Sequence, residues 1–264
     1  IHPAFDIATI RSEILIRHID HAFEVYAYEW NRDLTFDDFC EVVLPYRIGN
    51  EQIEDWMPAY RQSLESAIHM LSATHADRRT VASVLKDSLK AMDYEFLDET
   101  TMKVELSPTD YLHAAGGACP EITCIVTYAL RSVGLPVNYD YIIQWANRSQ
   151  THSWNSLQLD TTLYCFGMSD AGFGDHFAIR PHERMGKVYR RTYRFQPQSL
   201  PNQPGALKEG IPSALNTPFI RDVSNLYFDG IDVTLKLTVP FKPKKRFVYL
   251  AVFDNQNWVP VAWS

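Results

Sequence analysis

Residues 116–137 read GGACPEITCIVTYALRSVGLPV, and the reading of this stretch decides the fold. A glycine pair leads into Cys119, and Pro120 suits the first position of a helix, where its missing N–H is not needed. From Pro120 to about Val133 the apolar residues recur at helical spacing. Gly134 and Pro136 then stop the element, because glycine takes the left-handed C′ conformation and proline cannot continue a helix. Cys119 is therefore the expected N-cap residue, its sulfur near unpaired N–H groups and the positive end of the dipole. That setting favours the thiolate, which is the nucleophilic form of cysteine. Ser, Thr, Asp or Asn would cap better, so the choice of Cys carries information. Gly116 and Gly117 add no side-chain bulk and are expected to let a substrate backbone approach.

The other three cysteines read differently. Cys40 in FDDFC, Cys124 on an apolar helix face and Cys165 in LYCFGM are expected to be small core residues. Four cysteines in 264 residues do not make a disulfide framework. No C-x2-C or H-x3-H pair occurs and His18 with His21 is an isolated couple, so no metal or other cofactor is expected. An apolar fraction of 46% with 22% charged residues is ordinary globular composition, long enough here for one large domain or two. The formal charge of −7, without a long basic run, argues against a nucleic-acid partner. No stretch approaches the roughly 20 apolar residues of a membrane span. The chain begins IHPAFD and ends VPVAWS within a strand-like pattern, so it reads as processed or trimmed, with any export signal out of view.

Working outward from the central helix, residues 7–30 place Ile10, Ile14, Ile16, Ile19, Phe23, Tyr26 and Trp30 at mostly helical spacing, which predicts a long amphipathic helix. Thr35 should start a short helix ending before Pro45, and further helices are expected at about 50–73 and 78–92. Acids and histidines here, such as Glu51, Glu54 and His69, are expected on solvated faces or in structural pairs. After 137 the pattern becomes β-rich at 137–143, 152–159 and 163–169. From about 187 it is all β, with DVTLKLTV at 232–239 alternating strictly and a terminal hairpin around the DNQN turn. The expected architecture is α+β: a core domain over 1–186 with N-terminal helices, then a small antiparallel β-sandwich module over 187–264. The loop at 196–218 exceeds ordinary connection lengths and could lie over a neighbouring site.

A nucleophilic thiol needs a base. His152 opens the strand HSWNSLQLD, and the strand LYCFGMSD follows a turn at about 160–162. A hairpin centred on residue 161 makes His152 face Asp170, and cross-strand Cβ atoms lie roughly 4.5–5.5 Å apart, close enough for a carboxylate to orient an imidazole. Asp160 is then the turn residue, and Asp175 in GFGDH is the fallback acid.

The helix-initial Cys in GGACPEITC, the sequence RSVGLP at the helix end, HSWN on a strand and an Asp after the next strand resemble the transglutaminase-like core shared with papain-type enzymes. That likeness covers about 105–172. More narrowly, LPYRIGNE, QWANRSQTHSWN and the YLAVFDNQNWVPVAWS end resemble transglutaminase-like proteins of Bacteroidetes bacteria. The resemblance implies Cys119 as nucleophile, His152 as base and Asp170 as orienting acid, in an extracytoplasmic protein. The family's W-x-x-x-D-P around the acid is replaced here by CFGMSDA, which leaves Asp170 the least supported of the three. The implied reaction is acyl transfer from a peptide or protein amide to water or to an amine. Trp145 and Trp154 flank the histidine strand and could line the acyl pocket, although core packing explains each more simply. Arg148 could hold a substrate carboxylate, although a loop arginine is usually solvated. The alternative is a catalytically silent scaffold whose β-module presents aromatics such as Tyr227, Phe228, Trp258 and Trp263 to a glycan or protein.

Overall fold

The computed structural model describes residues 6–97, 106–114, 116–170, 172–174, 183–230, 234, 236, 238 and 246–264. The chain divides into two compact units, Ile1–Tyr139 with Trp154–Phe177 and Asp140–Ser153 with Ala178–Ser264. The first carries the helices α1 (Asp6–Thr9), α2 (Ser12–Tyr26), α3 (Phe36–Asp38), α4 (Met57–Ser63), α5 (Glu65–Ala73), α6 (Arg78–Lys90), α7 (Pro108–His113) and α8 (Cys119–Arg131). Strands β1 (Glu95–Phe96) and β2 (Gly116–Gly117) form a short parallel pair. Strands β3 (Asn138–Ile142), β4 (His152–Leu159), β5 (Thr162–Phe166), β6 (Tyr189–Arg191) and β7 (Ile220–Asp222) make a five-stranded sheet in the order β5-β4-β3-β6-β7. Helix α9 (Ala206–Glu209) precedes β7, and β8 (Tyr249–Phe253) with β9 (Trp258–Trp263) forms a separate antiparallel hairpin. The architecture is mixed α+β with helices leading, as the change of hydrophobic period implies.

Several N-terminal elements follow from local chemistry. Thr35 caps α3, its hydroxyl accepting from Asp38 N–H at 3.1 Å. Asp77 does the same for α6 through Thr80 N–H at 2.7 Å. The helix expected from residue 50 starts only at Met57, with Pro58 inside its first turn, and a break at Leu64 separates α4 from α5. Glu51 is buried rather than on a solvated face: Gly49 N–H donates to its Oε2 at 2.6 Å, and the Cys124 thiol lies 3.8 Å from its Oε1. Glu54 makes a structural pair, accepting from Thr109 N–H at the start of α7.

Helix α8 is buried at every position from Thr123 to Arg131. A helix enclosed on all sides must satisfy its polar ends within the protein. Gly134 makes this possible. At φ 81° it lets Leu135 N–H reach Leu130 O at 3.0 Å and Gly134 N–H reach Arg131 O at 2.9 Å, the paired bonds of a Schellman end. The freed Val133 carbonyl accepts from Trp30 Nε1 at 2.9 Å and Asn31 Nδ2 at 3.2 Å, which docks the segment after α2 on the helix end. A Cβ at Gly134 would stand 2.3 Å from Asn31 Nδ2 and 2.7 Å from Val25 O. Arg131, also buried, turns back to donate to Val137 O from Nε and Nη2 at 3.1 and 2.9 Å.

In the second unit, Arg190 and Asp140 are cross-strand partners of β6 and β3 and form a buried two-pronged ion pair at 2.7 Å on both prongs. Strands β6 and β7 thus extend the sheet that contains β3, where the sequence suggested a sandwich module of their own. The loop at 196–218 is core rather than cover: Leu200, Ala206 and Leu215 are buried with Tyr189 and Ile220. Its Pro and Gly content hid three short helical turns, Leu200–Asn202, α9 and Ser213–Leu215, spaced to deliver one apolar side chain each. The alternating stretch at 232–239 lies outside the described residues except at 234, 236 and 238.

Gly134→Ala should lower the stability to urea by about 1–3 kcal/mol from the left-handed backbone alone, with the close contacts adding to it. Gly230→Ala, whose Cβ would meet no atom within 4 Å among the described residues beyond its chain neighbours, should change stability by less than about 0.5 kcal/mol. Equal shifts for the two variants would contradict the role given to Gly134.

Candidate functional site

Cys119 is the first residue of α8, with Ala118 as N-cap in extended conformation and Pro120 second. This corrects the expected cap position by one residue. The helical first turn begins at Cys119, and the Glu121 carboxylate folds back to accept from the N–H of the cap residue Ala118 at 3.0 Å. The cysteine still stands in the first turn, where the dipole acts most strongly. Its carbonyl accepts from Thr123 Oγ1 at 2.7 Å, and the residue is half-buried.

The glycines before it have a different reason from the one inferred. A Cβ on Gly116 would lie 2.1 Å from Glu95 O, and one on Gly117 would lie 2.6 Å from Glu121 Cβ. They let β2 pair with β1 and let Glu121 fold back, so intramolecular packing accounts for both. Cys124 and Cys165 are buried as expected, whereas Cys40 is half-buried in the π-helical turn Phe39–Val43. Beneath the start of α8, burial and then the nearby Cys124, Glu51 and Glu121 push the Tyr111 hydroxyl well above its ordinary pKa, so it stays neutral.

His152 is the first residue of β4, as read from the sequence, and is half-buried. Its ring stacks on Trp145, centroids 5.8 Å apart and planes 24° apart. Trp145 is only 2% exposed and carries the Arg148 guanidinium carbon 4.5 Å from a ring centroid. Arg148, though 38% of its side chain is exposed, is paired: its Nη2 lies 3.2 Å from Glu183 Oε1. The loop is further pinned by Ala146 N–H to Arg184 O at 2.8 Å and by Gln144 Nε2 to Arg148 O at 2.7 Å. Within the second unit, therefore, three of the candidate residues, Trp145, Arg148 and His152, come together.

Cys119, Trp154 and Asp170 belong to the first unit. Trp154 is 1% exposed, which makes it a packing residue. The β4–β5 hairpin turns at Asp160, whose φ is 51°, as expected of the turn residue. Its ladder runs from Leu159↔Thr162 to Asn155↔Phe166, centred between residues 160 and 161 rather than on 161. The paired residues stop short of both His152 and Asp170, so strand register does not carry the assignment of the acid. Asp170 instead ends a tight turn: its N–H donates to Gly167 O at 3.3 Å and its Oδ2 accepts from Gly167 N–H at 2.5 Å. Asp175 lies outside the described residues.

Sequence reasoning missed Asn155. Fully buried on β4, it donates from Nδ2 to Thr127 Oγ1 at 2.8 Å and to Thr123 O at 3.3 Å. Thr123 and Thr127 follow Cys119 along one face of α8 at intervals of one turn. The only signal was two threonines four apart on an apolar helix, since Asn155 stands among other polar residues in HSWNSLQL. Lys86, also missed, donates to the Asp170 carbonyl at 2.8 Å. His18 is buried with Nε2 3.0 Å from Leu44 O, and burial lowers its pKa. Among the described residues no group of three His, Cys, Asp or Glu could hold a metal ion.

No family model and no curated protein matches the chain. Among solved structures, Legionella pneumophila LapG (EGTA-treated) aligns with a TM-score of 0.37 and 16% identity, over 54% of this chain and 81% of that one. A likeness at that score decides neither fold nor activity.

Asn155→Asp should lower stability at neutral pH by roughly 2–4 kcal/mol, since it sets a carboxylate against the Thr123 carbonyl without a cation. Asn155→Leu, close in volume, should cost less. Chemical unfolding of both variants checks this, and an aspartate as well tolerated as leucine would contradict the hydrogen-bonding role.

Proposed function

We propose that this protein is a cysteine-dependent acyl-transfer enzyme acting on amides of peptides or proteins, with Cys119 as nucleophile, His152 as base and Asp170 as the acid that orients the imidazole. One observation carries the reading: a half-buried thiol begins a 13-residue helix, while Cys124 and Cys165 are buried away from any such terminus. The stack of His152 on Trp145 supports it, because a ring held in one plane loses the rotational freedom that a general base must otherwise give up. Trp145, at 2% exposure, then serves His152 rather than a substrate, and Arg148 meets a substrate carboxylate only by exchanging it for Glu183.

In the reaction, His152 takes the thiol proton and the Cys119 sulfur attacks the amide carbonyl. The oxyanion of the tetrahedral intermediate is met by the Cys119 backbone N–H, one of the four that a helix's own ladder does not use. His152 passes the proton to the departing amine as the C–N bond breaks, leaving a thioester on Cys119. Water then gives a peptidase or amidase, and a second amine gives a transferase. By the family resemblance the protein works outside the cytoplasm. No described helix is long and apolar enough to cross a membrane.

A second reading, a silent core presenting its β-hairpin to a glycan or protein, is favoured by Trp258 and Phe253, 70% and 52% exposed with ring centroids 5.3 Å apart. Iodoacetamide separates the two. Under neutral native conditions Cys119 should be alkylated about tenfold or more faster than Cys40, the other half-buried thiol, because thiolate rather than exposure sets the rate. Equal rates for the two would remove the enzyme reading and leave the binding one.

A further inference from the structure

Lys86 has no role in the mechanism above, yet its side chain has no exposed surface. Removing an ammonium from water is unfavourable unless a partner compensates. The partners here are specific. Lys86 Nζ donates to the Asp170 backbone carbonyl at 2.8 Å and stands 3.1 Å from Oδ1 of Asp87, its neighbour on α6. One turn further along α6, Lys90 Nζ lies 3.3 Å from Ser169 O and 3.4 Å from Asp170 O. Two ammonium groups spaced i, i+4 on one helix thus converge on the last two carbonyls of the turn Gly167–Asp170. Inside that turn the Asp170 carboxylate accepts from Gly167 N–H at 2.5 Å. Near the other end of α6, Arg79 lies over the Tyr164 ring of β5 at 5.1 Å, so the helix follows β5 into the turn with a row of cations.

We infer that Lys86 is a positioning residue for Asp170, fixing the backbone that aims its carboxylate and supplying the positive charge that favours the ionised form. The inference rests on the reading of Asp170 as the orienting acid. A lysine that merely stapled β5 to α6 could do so from the surface, as Lys90 does. Burial of Lys86 raises the strength of its field at the turn, because little water screens it. Through Asp170 that field would stabilise the imidazolium of His152, and through the imidazolium the thiolate of Cys119.

The test is a double-mutant cycle read at Cys119. Iodoacetamide rates for Cys119 and Cys40 are measured from pH 5 to 8 in the parent, Lys86→Met, Asp170→Asn and the double variant. Each single substitution should slow Cys119 at pH 6 by roughly tenfold and move its half-maximal rate to higher pH, with Cys40 unchanged. The double variant should be no slower than the slower single one, since Lys86 acts only through Asp170. A double variant slowed by the product of the two factors, or a Lys86→Met profile identical to the parent's, overturns the inference while the nucleophile reading stands. An Asp170→Asn profile identical to the parent's overturns it together with the assignment of the acid. Cys119 labelling no faster than Cys40 in the parent overturns it together with the functional reading. Should Lys86→Met fail to fold, Lys86→Gln, which keeps a donor without the charge, carries the same cycle and the same outcomes.

Discussion

The carbonyl of Val133 is the point on which the first unit depends. It is freed by the end of α8, and it is buried, so without protein donors it would oppose folding. Trp30 and Asn31 supply those donors, and Asn31 can come so close because Gly134 has no side chain. From this follows the enclosure of α8, whose residues from Thr123 to Arg131 all lie in the interior. Only the first turn, with Cys119 and Pro120, escapes full burial. Cys119, the proposed nucleophile, therefore lies at the one end of the helix that is not fully enclosed.

Polar groups in the interior divide into two kinds. Some close the fold locally, such as Arg131 on Val137 O and the Asp140–Arg190 pair on neighbouring strands. Others contact elements that carry candidate residues: Asn155 of β4 on Thr127 of α8, Lys86 on the carbonyl of Asp170, Glu183 on the arginine that covers Trp145. Each of the second kind is costly to bury in isolation, and its contacts offset part of that cost. Such groups fix orientation more than they add stability.

How much of this the sequence discloses depends on the range of the interaction. The extent of α8, its stop at Gly134 and the strand beginning at His152 are local, set by residues within a few positions, and they read correctly. The cap of α8 missed by one residue because Cys119 already has helical backbone, and Glu121 answers the N–H of the true cap residue, Ala118. The packing reason for Gly117, Glu121, is only four residues on, whereas that for Gly116 is hidden because its neighbour, Glu95, is 21 residues upstream. Strands β6 and β7 were separated from the sheet for the same reason: period reveals a strand but not its partner. Pro and Gly in 196–218 suggested an open loop, while the three buried apolar residues there are too far apart to show a period. Neither the burial of Lys86 nor its aim at Asp170 can be read from a charged position on an amphipathic helix, where the ordinary expectation is solvent.

The central claim is that Cys119 and His152 act as one ionising pair, and the pH dependence of Cys119 alkylation tests it most directly. In the parent protein the rate should persist well below pH 7, because the imidazolium holds the thiolate. In His152→Gln it should rise only as an ordinary thiol ionises, near pH 8.5. Superimposable profiles in the two proteins would contradict the pairing.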